Sequence, residues 1–211
     1  MSLVIAVAVQ GIGAYLVGDK RVSVKTASGM QPYSDSVQKI FRINQFTALG
    51  VAGNYEAAID LSEFTQKYND IASQDGLPTI AYPDEIADTI HKYLLSLLSE
   101  PASADNYICI TGIDRKGRVR LFTLNGKDNY CLTDYSPIAM PIQYSYLGDG
   151  TIATSTAFEN GFHLPDNAGR VALDAYIIKY IQDHIASVSK EVITIGSTTD
   201  SIIIPCPPAQ H

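Results

Sequence analysis

The residues of this chain that are best suited to chemistry lie close to the ends of short apolar runs near the N-terminus. A serine hydroxyl such as that of Ser2 attacks a carbonyl carbon once a base takes its proton, and a free α-amine, with an unperturbed pKa of roughly 8, can be that base on the same residue. Lys39 would lower the proton affinity of the nucleophile, while Asp19 would keep Lys39 charged and oriented. The N–H of Gly53 could face a developing oxyanion, because a residue without Cβ permits close approach. This set predicts nucleophilic attack on a carbonyl.

Two predicted hairpins would bring these residues together. Residues 4–9 and 14–18 are apolar runs separated by turn residues, so antiparallel pairing puts Asp19 close to the start of the first strand and Ser2 opposite the neighbourhood of Arg21. Strands at 39–43 and 47–52, turning at Asn44-Gln45, would likewise bring Lys39 level with residues near Gly53. Stacking the two hairpins could then place a hydroxyl, an amine and a carboxylate together.

The remaining pattern predicts helices and strands in blocks rather than in alternation. The segment 25–36 is predicted to be a loop, and apolar periodicity predicts helices over 57–71, after an N-cap at Asp84, over 151–160 and over 173–184. Further strands are predicted at 107–113, 119–124, 192–195 and 201–204. Such blocks disfavour a doubly wound parallel sheet and favour an α+β fold in which paired antiparallel sheets carry helices on both outer faces.

Composition narrows the class of protein. The 211 residues, 46% of them apolar, predict one domain over 1–211 with one sizeable core. The formal net charge is -7 and the basic residues are scattered, which argues against a nucleic-acid partner. Three distant cysteines predict buried thiols in a reducing compartment, the four histidines lack metal-ligand spacing, and no apolar run reaches membrane-spanning length. A cytoplasmic protein without a leader peptide, metal or cofactor is therefore expected.

Several motifs together resemble proteasome β subunits and their bacterial relatives, which are N-terminal-nucleophile hydrolases. The combination of Asp-x-Arg, the lysine and Val-Ala-Gly at matching intervals is specific, although each motif alone is not. The resemblance spans nearly the whole chain. The matching segments are SLVIA at 2–6, GDKR at 18–21, SDSVQKIFRI at 34–43, GVAG at 50–53, GDG at 148–150 and GSTTDSIII at 196–204.

The resemblance implies a four-layer αββα sandwich and a peptidase that works through an acyl-enzyme. Ser2 would take the place of the catalytic threonine, Asp19 and Lys39 would match the acid and the lysine that tunes the base, and Gly53 would match the oxyanion donor. The resemblance further implies peptide or protein substrates, no cofactor, assembly into rings or helical arrays, and a possible ATPase partner. The residues it assigns to substrate binding are Arg21, Ser23, Val51 and Tyr55.

The sequence also departs from the family. The nucleophile is Ser rather than Thr, and its amine would have to be freed by a methionine aminopeptidase, because no propeptide ending in Gly precedes it. Asp149 occupies a position where the family commonly has Ser. The family's late catalytic Asp and Ser do not align cleanly, and Ser187 and Ser189 are candidates for that support.

Two alternatives remain open at this point. The opening residues and the string Ala-Ser-Val-Ser-Lys at 186–190 also resemble connectases, proteasome homologues that ligate peptides but carry a long insertion after the first hairpin that is missing here. A ligase or transpeptidase would use the same acyl-enzyme with an amine as acceptor. The other alternative is a catalytically silent assembly subunit, as the α-type members of the family are.

Overall fold

The chain has a mixed α+β architecture with antiparallel sheets. A computed structural model describes residues 2–53, 55–97, 106–137, 140–148, 151–166 and 168–207, with the backbone alone for helical residues 55–59 and 151–154. The helices are α1 Tyr55–Gln74, α2 Pro83–Ser96, α3 Thr151–Gly161 and α4 Arg170–Val188. The strands are β1 Leu3–Val9, β2 Gly13–Asp19, β3 Val22–Thr26, β4 Gly29–Ser34, β5 Ile40–Arg42, β6 Thr47–Ala52, β7 Tyr107–Ile113, β8 Val119–Asn125, β9 Cys131–Asp134, β10 Ile142–Gly148 and β11 Thr199–Pro205.

The strands form two larger sheets and one separate hairpin. Sheet 1 has the strand order β10-β1-β2-β11, sheet 2 has the order β5-β6-β7-β8-β9, and β3 pairs with β4 alone. Each of these neighbouring pairs is antiparallel. The expected first hairpin is confirmed, with Val4 opposite Gly18.

Three apolar cores cover the faces of the two larger sheets. The first lies between the sheets, and Val4 and Leu16 of sheet 1 share it with Ile40 and Leu121 of sheet 2. The second joins the other face of sheet 2 to α1 and α2, and the third joins the other face of sheet 1 to α3 and α4. Every residue of β1 and β2 is buried, which explains why both strands are continuous apolar runs rather than alternating ones.

The start of α2 differs from the prediction. Asp84 was predicted to be the N-cap, but Tyr82 is the N-cap and Pro83 opens the helix. Proline suits the first helical position, because its missing N–H would have no helical acceptor there. Glu85 Oε2 accepts hydrogen bonds from the N–H groups of Ala81 at 3.0 Å and Tyr82 at 3.3 Å, as the third-position glutamate of a capping box does.

Three other local predictions were wrong. Much of the predicted loop at 25–36 belongs to the β3–β4 hairpin, whose side chains are exposed or half-buried and therefore give no apolar pattern. The predicted strand at 192–195 is a turn, closed by a hydrogen bond from Ile195 N to Val192 O at 3.0 Å. Of the three cysteines, Cys109 is buried, while Cys131 is exposed.

Within the described part of the chain, no helix is both long and apolar enough to cross a membrane.

Candidate active site

The carboxylate of Asp19 is the centre of a buried polar cluster at one end of the two sheets. Asp19 is 0% exposed and ends strand β2. Its Oδ1 accepts hydrogen bonds from Leu3 N at 2.8 Å and Lys39 Nζ at 2.9 Å. Its Oδ2 accepts from Arg21 N and Gly196 N, each at 2.9 Å. One carboxylate therefore connects the start of β1, the end of β2, the segment before β5 and the segment before β11.

Lys39 is the cation of this cluster. Its side chain is 2% exposed, and Nζ donates hydrogen bonds to Asp19 Oδ1 and to the backbone oxygen of Arg21. Burial lowers the pKa of Lys39 below its ordinary value, while the charge of Asp19 and its hydrogen bond oppose that shift. An ammonium group has three protons, and within the described residues these two acceptors take two of them.

Ser2 lies beside this pair because of where β1 begins. Leu3 N, the atom that donates to Asp19 Oδ1, is bonded to the carbonyl carbon of Ser2. Ser2 itself is only 4% exposed. On its other side Ser2 contacts Gly148 at the end of β10. A Cβ added to Gly148 would lie only 1.7 Å from the Ser2 carbonyl oxygen. Gly148 has a φ of 107°, so both the close contact and the backbone conformation favour glycine.

Gly53 approaches the same place from sheet 2. It follows the last residue of β6, Ala52, and has a φ of 114°, a conformation that favours glycine. The Cβ of Ala52 lies 3.3 Å from the Cβ position of Gly148, which itself contacts Ser2. Lys39 O accepts a hydrogen bond from Val51 N at 2.9 Å, so Lys39 runs alongside the end of β6 as expected. Ser2, Asp19, Lys39 and the end of β6 are therefore brought to one end of the sheets.

Arg21 is held by the protein itself. Its guanidinium pairs with both oxygens of Asp35, with Nε to Oδ1 at 2.7 Å and Nη2 to Oδ2 at 2.9 Å. Its Nη1 donates to the carbonyl oxygens of Ile193 and Ile195, each at 3.2 Å. Hydrogen bonding with Arg21 lowers the pKa of Asp35, and the same pairing raises the pKa of Arg21. The structure thus gives Arg21 a positioning role, because four of its five N–H donor sites meet protein acceptors.

The other residues assigned to substrate binding lie in different environments. Ser23 is on β3, and its buried Oγ has no hydrogen-bond partner within the described part of the chain. Val51 is 2% exposed and packs in the core between sheet 2 and the helices α1 and α2. Tyr55 is the first residue of α1, and its side chain lies outside the described residues.

Of the candidates for late support, Ser187 and Ser189 make no hydrogen bond to Asp19 or Lys39 within the described residues. Asp149 lies outside the described residues. Ser187 is an exposed residue of α4, and Ser189 Oγ donates a hydrogen bond to Ala186 O at 2.8 Å within the end of that helix. The late contribution that the structure does show comes from Gly196, whose N–H reaches Asp19.

Sequence reasoning missed three members of the cluster: Asp35, Gly148 and Gly196. Asp35 and Gly196 lie within matched motifs, but the sequence does not indicate that one binds Arg21 and the other Asp19. Gly196 is also tightly enclosed, since a built Cβ would lie 2.9 Å from Arg21 Cβ. Gly148 is the last residue of β10, and a glycine at a strand end is a usable signal for close approach of another backbone.

The site consists of protein side chains and backbone donors. In the described ranges no group of three or more His, Cys, Asp or Glu side chains could hold a metal ion. No protein-family model and no curated protein matches the chain.

Proposed function

We propose that this protein is a proteasome-like N-terminal-nucleophile hydrolase that cleaves peptide bonds through an acyl-enzyme on Ser2. The proposal assigns the chain to the four-layer αββα sandwich of that family. It is supported by the cores on both faces of sheet 1 and sheet 2, with α1 and α2 on one side and α3 and α4 on the other. The motif resemblance described above supports the same assignment.

The observation that carries the proposal is the shared oxygen of Asp19. Oδ1 accepts from the buried ammonium of Lys39 and from the amide that links Ser2 to Leu3. A cation held beside a serine at a strand start lowers the proton affinity of that serine's oxygen. Leu3, whose N–H donates to Asp19, directly follows Ser2, so the buried pair lies next to the proposed nucleophile.

The proposed reaction begins when the Ser2 α-amine takes the proton from Oγ. Oγ forms a bond to the carbonyl carbon of the substrate, and the electron pair of the C=O bond moves onto oxygen, where the N–H of Gly53 stabilises it. The tetrahedral intermediate then collapses, the C–N bond breaks, and the leaving amine receives the proton from the Ser2 ammonium. Water attacks the resulting ester by the same route and releases a carboxylic acid and free Ser2.

The α-amine of Ser2 can act as a base only after Met1 is removed, because the nitrogen of a peptide bond does not take up a proton at neutral pH. Serine has a small side chain, as methionine aminopeptidases require. The state of the N-terminus is therefore the first measurement to make. The form that begins at Ser2 can also be prepared directly, by releasing the chain from a fusion with a protease that cleaves before Ser2.

The test is an intact-mass measurement of the form beginning at Ser2, with and without a peptidyl β-lactone. Opening of the lactone by Oγ adds the full mass of the inhibitor once, since no group leaves. We expect one adduct on Ser2, none in Ser2→Ala, a much slower reaction in Lys39→Met, and an unchanged reaction in the matched control Ser73→Ala, a serine exposed on α1. Absence of an adduct in the form beginning at Ser2, or an adduct that persists in Ser2→Ala, would overturn the proposal.

A second candidate function is a catalytically silent subunit that serves in assembly. The observation that favours it is the structural role of Asp19, which connects four segments and would stabilise the fold whether or not Ser2 reacts. The same experiment separates the two functions. A silent subunit would be destabilised by Lys39→Met and yet show no lactone adduct in any form.

A further inference from the structure

A cavity lies away from Asp19 and Lys39, where the edge strands of the two sheets face each other. Its volume is about 450 Å³, which is in the range of small-molecule sites. Its walls come from β7, β8 and β9 of sheet 2, from β10 of sheet 1 and from α3. The lining residues that matter here are Tyr107, Asp128, Tyr135, Tyr144, Tyr146 and Glu159.

Two of the tyrosines form a fixed aromatic wall. Tyr144 and Tyr146 stack with their ring centroids 6.4 Å apart. Each also packs edge-on against Phe158, at 5.6 Å and 5.7 Å, and Phe158 is 0% exposed. Because buried aromatic contacts fix these rings, the wall is present before any ligand arrives, and binding would not have to pay for ordering it.

The charge of the lining is negative. Asp128 and Glu159 contribute carboxylates, and no Lys, Arg or His is among the described residues that line the cavity. Burial raises the pKa of Tyr144, and the negative charge of Glu159 raises it further, so the phenol stays neutral. The charge of Glu159 therefore acts at the tyrosine wall. Asp128 is linked to Asn125 through one oxygen, by a hydrogen bond of 3.2 Å from Nδ2 to Oδ2.

A lysine that is not itself part of the lining lies over the ring of one lining tyrosine. Lys127 Nζ lies 5.6 Å from the centroid of the Tyr107 ring, within the distance at which an ammonium is attracted to an aromatic face. Tyrosine rings together with carboxylates are the combination that recognises ammonium and guanidinium groups, since both attract positive charge and the rings also cover the apolar stem of the ligand.

We infer that this cavity is a binding site for a small organic cation, one that carries an ammonium or guanidinium group on a short apolar stem. The cation contacts the tyrosine wall, and its charge is balanced by Asp128 and Glu159. The inference does not rest on the proposed peptidase activity. Gly148 is a member of both regions, because it lines the cavity and contacts Ser2.

The test is an NMR titration of the intact chain, with its tyrosines labelled on the ring with ¹³C, using n-butylammonium as the probe. Butan-1-ol, which has the same stem without the charge, is the matched control ligand. We expect saturable shifts of the Tyr144 and Tyr146 ring signals with n-butylammonium, and no saturation with butan-1-ol at the same concentrations. Equal binding of the two ligands, or no saturable shift with the cation, would overturn the inference.

Variants locate the site on the protein. Glu159→Gln and Asp128→Asn should each weaken n-butylammonium binding by about two- to fivefold, since each removes one exposed opposite charge. Lys127→Met should strengthen binding, because it removes a competing cation from Tyr107. Asp75→Asn is the matched control, a carboxylate exposed beyond the end of α1, and should change nothing. Equal weakening by Asp75→Asn would show non-specific charge attraction and would contradict the site.

Discussion

Two buried carboxylates of this protein, Asp19 and Asp114, have similar numbers of partners and very different ones. Asp114 is 5% exposed and accepts hydrogen bonds from Lys116 N, Arg118 N and Arg118 Nε, at sequence separations of 2 and 4. Asp19 is 0% exposed and has donors at separations of 2, 16, 20 and 177. Asp114 therefore builds a turn from its own neighbourhood, whereas Asp19 holds distant parts of the chain in one place.

The comparison separates a carboxylate that serves only local structure from one that can assemble a functional site. A carboxylate satisfied by its own turn has its partners fixed by the local sequence, and its role ends with the hairpin between β7 and β8. A carboxylate satisfied from four segments is assembled only when the sheets have stacked. Such an arrangement positions groups precisely, as catalysis requires, and it also makes the fold depend on the carboxylate.

The largest expected difference concerns the charge itself. Asp19→Asn should lower the free energy of unfolding by about 3–5 kcal/mol, because it leaves the Lys39 ammonium buried without a counterion and turns an amide NH₂ toward existing donors. Asp114→Asn should cost about 1–2 kcal/mol, because the asparagine oxygen still accepts from the turn. Denaturant unfolding of both variants measures the difference, and equal costs would remove the distinction between the two carboxylates.

The next difference concerns glycines at positive φ. Gly148→Ala should cost about 2–4 kcal/mol, because the added Cβ would strike the Ser2 carbonyl oxygen and the alanine would be strained as well. Gly117, in the Asp114 turn, has a φ of 74° and open space around its Cβ position. Gly117→Ala should therefore cost only about 1 kcal/mol of backbone strain. The same unfolding measurement tests both variants. A small effect of Gly148→Ala would mean that β10 shifts to make room for the added Cβ.

The same contrast explains which contacts of the site could be predicted from the sequence. The pairing of Asp19 with the start of β1 could be predicted, because a short hairpin fixes its register by counting from the turn. The position of Lys39 near the end of β6 followed in the same way. The approach of Gly196 and of the carbonyl groups of Ile193 and Ile195 could not be predicted, because it depends on where α4 ends and how it packs on sheet 1. The β3–β4 hairpin also escaped prediction, since it has no buried face.

A smaller difference is expected for the arginines beside each carboxylate. Arg21 is 19% exposed and holds Asp35 with two hydrogen bonds, while the side chain of Arg118 is 49% exposed. Arg21→Lys should lower the free energy of unfolding by about 1 kcal/mol, because an ammonium cannot reproduce the planar pairing with Asp35 and the bonds to two carbonyl groups. Arg118→Lys should have less effect. Urea midpoints of the two variants decide the point, and a larger shift for Arg118→Lys would contradict it.

The last difference is in pH dependence: stability should rise with pH in both regions, but over different pH ranges. Burial lowers the pKa of Lys39 below its ordinary value of about 10.4, so between the two values the unfolded chain holds a proton that the folded chain has released. The stability that depends on Lys39 therefore rises with pH in that window and is lost as pH falls through the folded-state pKa.

For Asp114, burial would raise the pKa, but hydrogen bonds from Arg118 and from the backbone outweigh it and lower the pKa. Its contribution is complete above about pH 3.9 and is lost as pH falls through the folded-state pKa. Unfolding free energies of the parent, Lys39→Met and Asp114→Asn between pH 3 and pH 10 measure both. We expect the free energy of unfolding of the parent to rise relative to that of Lys39→Met toward pH 10. We expect the difference between the parent and Asp114→Asn to disappear toward pH 3. A Lys39→Met difference that stays constant toward pH 10 would mean that the Asp19 charge, rather than burial, controls the lysine.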